Sequence, residues 1–251
     1  ILYEGLHCCA YLKHPKLKER PQYVRAHNIE SEYYKQLAKS ERKLRTKIYL
    51  FSEYLKIKAF ENHLSSANGI FAISSKDQTE LCKTTTSYLI RAFHSNTLLS
   101  SKIGVGNYAI YHGNLAVAEN ENAALFLVQQ VFKYLNYDLL ITGSSPKRKL
   151  RKEIFKYPNI RLVENPEQSV LEKMIQDAHI QVLPTEQDTG IKLKLLKSLF
   201  HGRHCLVNYK MIAATGLENT CYIVESPKNW VNKIKELKSI PFDTKQITKR
   251  T

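Results

Sequence analysis

The sequence predicts an α/β protein organised on doubly wound parallel sheets, and three observations carry that expectation. Short apolar runs alternate with helical patterns along most of the chain, most regularly from Tyr108 onward. Turn-forming residues follow successive strand-like runs at Gly113, Ser144, Asn165 and residues 185–190, and a parallel sheet would gather these on one edge. The 251 residues, 43% of them hydrophobic, are enough for two domains with buried cores and exclude a disordered polymer.

Bulk properties narrow the function classes. No apolar run approaches the ~20 residues of a membrane-spanning helix. The net charge of +15 favours anionic partners (nucleic acid, anionic lipid headgroups or phosphorylated substrates) without choosing among them. Five cysteines without CxxC spacing point to reduced thiols in a cytoplasmic setting, not to a disulfide scaffold or a zinc site. With no D-x-D and no His/Asp cluster at ligand spacing, no metal is expected.

Residues 1–12 read as a strand and its exit. They lack an initiator Met and the order of a signal peptide and resemble an internal strand, so the first domain is expected to be incomplete at its N-terminus. Glu4-Gly5-Leu6-His7 is permissive for a site at a strand end, but reads first as a plain strand-to-loop turn. After a basic connector, a strand beginning at Tyr23 ends in Arg25-Ala26-His27-Asn28-Ile29-Glu30, and Ser31 can cap the helix that follows. Side chains at the carboxyl end of such a strand meet ligands, so Arg25, His27, Asn28 and Glu30 are candidates; a satisfied cap-and-turn cluster is the alternative.

Residues 32–64 form one long helical pattern, with breaks allowed near Ser40 or Thr46. Leu37, Leu44, Ile48, Leu55 and Phe60 make an apolar stripe, widened by Phe51 and Tyr54, and lysines and arginines occupy the rest. Such a helix packs its stripe on the core with a solvated charged back, or lies against anionic lipid; the core-facing arrangement is the commoner. Residues 69–74 are a buried strand, and a helix begins at Ser75.

Residues 93–106, rich in Ser, Asn and Gly, read as an interdomain linker. Strand 108–112, the Gly113-Asn114 turn and a helix over 120–135 have the shape of a phosphate or sugar-nucleotide cradle. Strand 139–142, a basic helix over 147–155, strand 160–163, the Asn165 loop and a helix over 169–178 continue the alternation.

The densest stretch is IQVLPTEQDTGIKLKLLKSLFHGRHCLVN, residues 180–208. A strand stops at Pro184, a polar loop offers Asp188 or Thr189 as caps, and Leu193, Leu196, Leu199 and Phe200 recur at helical spacing before Gly202, a candidate C-cap. Lys192 and Lys194 stand in the first turn against the helix dipole, a cost that a bound phosphate would offset. With Lys197 they can equally form a solvated face. Residues 205–207 and 223–225 are strands, 230–237 a helix and 245–251 a basic tail.

Over G-I-K-L-K-L-L-K-S-L-F-H-G-R-H-C-L-V the chain resembles the donor-domain signature of retaining "group 1" GT-B-type glycosyltransferases, roughly G-x-(R/K)-L-K-x-L-E-A-x-x-x-G-x-P-V-V. It matches at Gly190, Lys192, Leu193, Lys194, Leu196 and Gly202, and departs where the family's two glutamates fall on Thr189 and Lys197 and its proline on His204. The segment R-A-H-N-I-E is similar to R-x-H-N-x-E in the acceptor-side domain of a bacterial, Bacteroides-like group of these enzymes. YHGNLAVAENENAALFLV resembles the opening of their donor domain at Gly113, Leu115, Asn120 and Ala123, with Asn114 and Glu119 where many relatives carry arginine and lysine.

The resemblance implies two Rossmann-like doubly wound domains facing a cleft, the first incomplete: a partial acceptor-side domain over 1–103 and a nucleotide-sugar donor domain over 104–251. It implies a hexosyltransferase-like, retaining enzyme of surface polysaccharide biosynthesis that moves a sugar from a nucleotide-sugar to a saccharide or lipid-linked acceptor. His27 and Glu30 would be catalytic, His27 bonding the transferred sugar and Glu30 orienting His27 or the acceptor. Gly113, Asn114, Ser144, Asn165, Thr189, Gly190, Lys192 and Lys194 would bind the donor, and Arg25 and Asn28 would lie on the acceptor side. No cofactor or metal is implied, the nucleotide-sugar being a substrate. The setting would be cytoplasmic with peripheral contact at the anionic inner membrane face, and no nucleic acid is expected. The alternatives are a non-catalytic relative, given Thr189 and Lys197, and a basic nucleic-acid-binding protein, which explains the charge but shows no recognised signature.

Overall fold

Apolar runs too short to be helices become the strands of two all-parallel sheets in a computed structural model, which describes residues 1–41, 43–91, 93–187, 193–213 and 215–250. The described residues fall into two α/β units, one over Ile1–Phe93 and the other over residues 94–187 and 193–250.

In the first unit, β1 (Leu2–Glu4), β2 (Tyr23–Ala26), β3 (Gly69–Ala72) and β4 (Ser87–Leu89) lie in that order. Tyr3, Val24, Ala26, Ile70 and Ala72 pack with Leu6, Cys9, Leu12, Leu64 and Leu81 into its core. The single helical pattern expected over 32–64 is two helices, α1 (Glu30–Ser40) and α2 (Leu44–Glu61). The break follows Ser40, one of the two places the pattern allowed: Glu41 takes an extended backbone and its side chain accepts the N–H of Lys43 (2.8 Å), a local bond that competes with helix continuation. The apolar stripe also divides. Tyr54, Ile57 and Phe60 turn to the core, whereas Leu44, Ile48, Phe51 and Leu55 are exposed, so the core-facing arrangement fails for most of the stripe. Ser31 is not the cap. Ile29 holds that position, and the N–H and hydroxyl of Ser31 both donate to the Glu61 carboxylate, which closes α1 from α2. Ser74, by contrast, caps α3 (Ser75–Leu81) by accepting the N–H of Asp77 (3.1 Å).

The second sheet contains β5 (Tyr108–His112), β6 (Asp138–Gly143), β7 (Ile160–Glu164), β8 (Ile180–Leu183), β9 (His204–Val207) and β10 (Tyr222–Ile223), in the order β10-β9-β8-β5-β6-β7. This is the doubly wound order, with its reversal between β5 and β8. Every residue of β8 and β9 is buried, as parallel strands covered on both faces require. Around the sheet run α4 (Ala118–Phe126), α5 (Arg148–Ile154), α6 (Gln168–Asp177), α7 (Leu193–His201), the short α8 (Tyr209–Ile212), α9 (Pro227–Leu237) and α10 (Thr244–Thr248).

Three further expectations are sharpened by the structure. The helix expected over 120–135 starts at Ala118 and is α-helical only to Phe126; a π turn, Leu127–Val131, and a 3-10 turn, Phe132–Tyr134, follow and leave Leu127, Val128, Val131 and Phe132 all fully buried. Gly202 does follow α7 directly, its N–H donating to Ser198 O (2.8 Å), but without a left-handed backbone; a Cβ there would stand 2.6 Å from the side chain of Gln181, so close packing requires the glycine. The stretch 93–106, expected as the interdomain linker, does hold the boundary between the units, at residues 93 and 94, and its later part is docked on the second unit. Ser100 N–H donates to Phe200 O (2.8 Å), and Gly104 pairs with Phe242. Among the described residues no helix is long and apolar enough to cross a membrane.

Candidate functional site

All six strands of the second sheet run parallel, so the loops leaving their carboxyl ends share one edge. The order reverses between β5 and β8, the place at which sheets of this kind bind ligands. Gly113 and Asn114 follow β5, Ser144 follows β6, Asn165 follows β7, Thr185 follows β8 and Asn208 follows β9.

Hydrogen bonds knit these loops together. Ser144 Oγ donates to Asn114 Oδ1 (3.0 Å), Asn120 Nδ2 donates to Asn114 O (2.9 Å), and Lys194 Nζ donates to Asn120 Oδ1 (2.5 Å). The Lys194 ammonium also lies 5.3 Å from the centre of the Tyr111 ring, so α4 and β5 together hold it in place. Thr185 donates its hydroxyl to Glu119 and its N–H to Asn208 Oδ1 (3.0 Å), and its carbonyl accepts from Asn208 Nδ2 (2.7 Å).

Close approach and unusual backbone shape the same edge. A Cβ on Gly143 would stand 1.7 Å from Gly113 O, so only glycine lets the β5 and β6 turns meet. Ser145 and Asn165 adopt left-handed backbones at φ 50 and 49, and Asn165 Oδ1 accepts the N–H of Ser145 (3.3 Å). Non-glycine residues in that region are uncommon and concentrate at functional sites.

Gly113, Asn114, Ser144, Asn165 and Lys194 thus stand together as expected from the sequence, while Thr189, Gly190 and Lys192 lie outside the described residues. Sequence reasoning assigned no role to Asn120, the hub between Asn114 and Lys194, or to the Thr185–Asn208 pair; the signal for Asn208 was an asparagine directly after a strand. Lys197, at the position of the family's second glutamate, reaches Glu172 on α6 (3.5 Å). Buried His112 shares a hydrogen bond with Ser198 Oγ (2.9 Å), tying β5 to α7. Burial, followed by Lys194 and Lys197, pushes its pKa down to about 3, so it is a neutral structural group.

In the first unit the β1–β2 register sets Glu4 opposite Arg25, one strand away. His27 Nε2 lies 3.0 Å from Glu4 Oε2, and Arg25 Nη1 lies 3.7 Å from Glu4 Oε1. Since the carboxylate accepts, the neutral His27 ring carries its hydrogen on Nε2 and keeps a lone pair on Nδ1. The Phe93 ring covers the Arg25 guanidinium at 4.8 Å. The carboxylate bonded to His27 is therefore Glu4, not Glu30. Glu30 begins α1, and burial raises its pKa; nearby His7 and His27 pull the other way, and Glu61 adds to the rise. The E-G-L-H turn, permissive for a site in the sequence but read first as a plain turn, was the signal for Glu4. Asn28 Oδ1 and Arg25 Nε are buried without a hydrogen-bond partner among the described residues, as groups reserved for a ligand would be. Among the described residues no group of three or more His, Cys, Asp or Glu side chains could hold a metal ion.

No family model matches the chain, and no curated protein matches it in sequence. Solved structures match it in fold. A structure of TarM gives a TM-score of 0.74 at 14% identity, covering 99% of this chain and 50% of that one. A TarM mutant from S. aureus, in complex with Fondaparinux, alpha-GlcNAc-glycerol and UDP, gives 0.71 at 13% identity over 99% and 50%. A UDP-forming α,α-trehalose-phosphate synthase from Burkholderia xenovorans, in complex with glucose-6-phosphate, gives 0.68 at 10% identity over 100% and 67%. The chain thus spans about half to two thirds of the length of these proteins. The likeness is one of fold, and it places the two parallel-sheet units in the GT-B architecture of glycosyltransferases.

Proposed function

We propose that this chain is part or all of a glycosyltransferase that moves a sugar from a nucleotide-sugar to a saccharide or lipid-linked acceptor in surface polysaccharide assembly. The observation that carries the reading is the Lys194–Asn120–Asn114–Ser144 network at the β5/β8 reversal, where a doubly wound sheet binds its ligand. UDP-sugars are the first donors to consider, because the neighbouring structures include UDP-forming enzymes and a UDP complex.

In the reaction the bond from the anomeric carbon to the diphosphate oxygen breaks, a bond to the acceptor hydroxyl oxygen forms, and the hydroxyl proton passes to the departing diphosphate. Charge collects on the departing diphosphate, and Lys194, with Lys192 beside it in sequence, would stabilise it. Gly113 and Gly190 would let the backbone approach the donor, Asn114 and Thr189 would meet its phosphates or sugar, and Ser144 and Asn165 would seat the nucleoside. His27 would present Nδ1 to the transferred sugar with Glu4 fixing its ring, while Glu30, Arg25 and Asn28 would meet the acceptor. The reading takes the enzyme as retaining, metal-independent and cytoplasmic. Lys197 engaged with Glu172, where the family carries a glutamate, favours a second reading, a donor-binding relative without transfer activity.

A thermal-shift screen against UDP, GDP, CMP and TDP and their sugars tests the donor site. A nucleotide at a hundred times its Kd adds about 2.7 kcal/mol to stability, which raises the melting temperature by several degrees. One nucleotide family should do this. A flat response to all of them overturns the proposal, and binding without turnover selects the second reading.

A further inference from the structure

On α2 the residues Leu44, Ile48, Phe51 and Leu55 follow one another at spacings of four, three and four and so share one line along the helix, about 16 Å long. They are 70%, 61%, 51% and 51% exposed. The opposite face packs Ile57 and Phe60 on the core of the first unit, with Tyr54 buried beside them, so the outward line takes no part in that core. Lys47 and Lys58 flank it on one side and Arg45 and Lys56 on the other; residues 43–58 hold five cations against one carboxylate, Glu53.

We propose that this face of α2 docks the protein onto an anionic lipid bilayer, with the helix lying in the plane of the interface. An exposed apolar line bordered on both long sides by Lys and Arg is the geometry of an interfacial helix. The apolar side chains enter the acyl boundary while the cations extend to the headgroup phosphates. Charge complementarity chooses this occupant over a second copy of the chain. Two such faces meeting across a two-fold axis would oppose their lysines, and one helix line falls short of the ~800 Å² per partner that a stable dimer buries. The placement goes beyond the proposed function and needs no sugar donor, so each stands or falls alone.

The test is co-flotation of the chain with vesicles of phosphatidylcholine alone or with 30% (about one lipid in three) phosphatidylglycerol, in the absence of nucleotide. Binding is expected only to the anionic vesicles, falling at least ~10-fold in 0.5 M salt as screening shortens the reach of the cations. Ile48→Asp with Phe51→Asp, and separately Lys47→Glu with Lys58→Glu, should each lower binding about 10-fold or more while circular dichroism melts stay near that of the parent, these side chains being largely exposed. Phe51→Trp should give a blue-shifted emission on anionic vesicles only. Absence of anionic binding, equal binding to both vesicles, or full binding by both double variants overturns the proposal. A dimer in solution that the apolar double variant dissolves, with no vesicle binding, assigns the face to a second copy instead.

Discussion

At the scale of single residues, the two units carry different chemistry. Lys194 is held against Asn120 Oδ1 and the Tyr111 ring, so its charge is pre-positioned. Lys194→Ala should weaken nucleotide binding at least ~10-fold, about 1.4 kcal/mol, whereas His27→Ala should leave it unchanged and suppress transfer. Calorimetric titration of both variants checks this, and equal loss of affinity in the two defeats the division of labour. Glu4 acts through His27. Glu4→Gln preserves the shape of the contact at 3.0 Å but removes its charge and frees the ring to change tautomer. Transfer should fall roughly 10- to 100-fold by the precedent of residues that orient a working histidine, with donor affinity intact. A Glu4→Gln enzyme with full turnover would return Glu4 to a surface role. Glu4 was hard to see in the sequence because its partner lies 23 positions on and meets it only through the β1–β2 register.

At the scale of elements, α6 and α7 end on arginines, Arg203 buried and Arg250 half-buried. Arg203 Nη1 donates to the carbonyls of Gln176 (2.6 Å), Asp177 (3.1 Å) and Ala178 (2.9 Å) at the end of α6. Arg250 donates to Leu199 O (2.8 Å), Gly202 O (2.7 Å) and Arg203 O beyond α7, and stacks 4.7 Å from the Phe242 ring. Helix ends leave carbonyls unpaired, and a guanidinium with five donors satisfies several at once. The basic tail expected at 245–251 is therefore a short helix followed by a structural clamp. Arg250→Ala should cost about 2–3 kcal/mol, a fall of roughly 5–10 °C in melting temperature, and a melt within a degree of the parent would refute the clamp. The strands of the second sheet were legible in the sequence because fully covered parallel strands are plain apolar runs. The faces of α2 were not, since periodicity relates apolar residues to each other without saying which of two lines, Leu44–Leu55 or Tyr54–Phe60, has a core to meet. The donor-side glycines were legible as turns, whereas the network through Asn120 depends on contacts 74 positions apart.

At the scale of the whole molecule, stability should fall as the medium becomes mildly acidic. His112 is pushed down to about 3, first by burial and then by Lys194 and Lys197. His204 is pushed down to about 4, chiefly by burial; His179 and Arg250 add to this, while its bond to the Ile240 carbonyl and Asp243 oppose it. Burial also depresses His179. In the unfolded chain each titrates near 6.5, so between that value and the depressed one the unfolded state binds a proton that the folded state refuses. Stability therefore rises with pH across this window. It is fully present above about 6.5 and lost going down, at up to ~1.4 kcal/mol per pH unit for each histidine. The net charge of +15 works in the same direction, because every added proton increases self-repulsion. Denaturant melts at constant ionic strength from pH 8 to pH 5 should show a plateau above pH 7 and a steep decline below pH 6. His112→Asn has no titrating ring and an amide that can still meet Ser198, so it should begin somewhat less stable at pH 8 yet decline less steeply, by about one histidine's share. If the variant and the parent decline in parallel, His112 is protonated in the folded state after all, and the acid sensitivity belongs to His179, just before β8, and His204, at the start of β9.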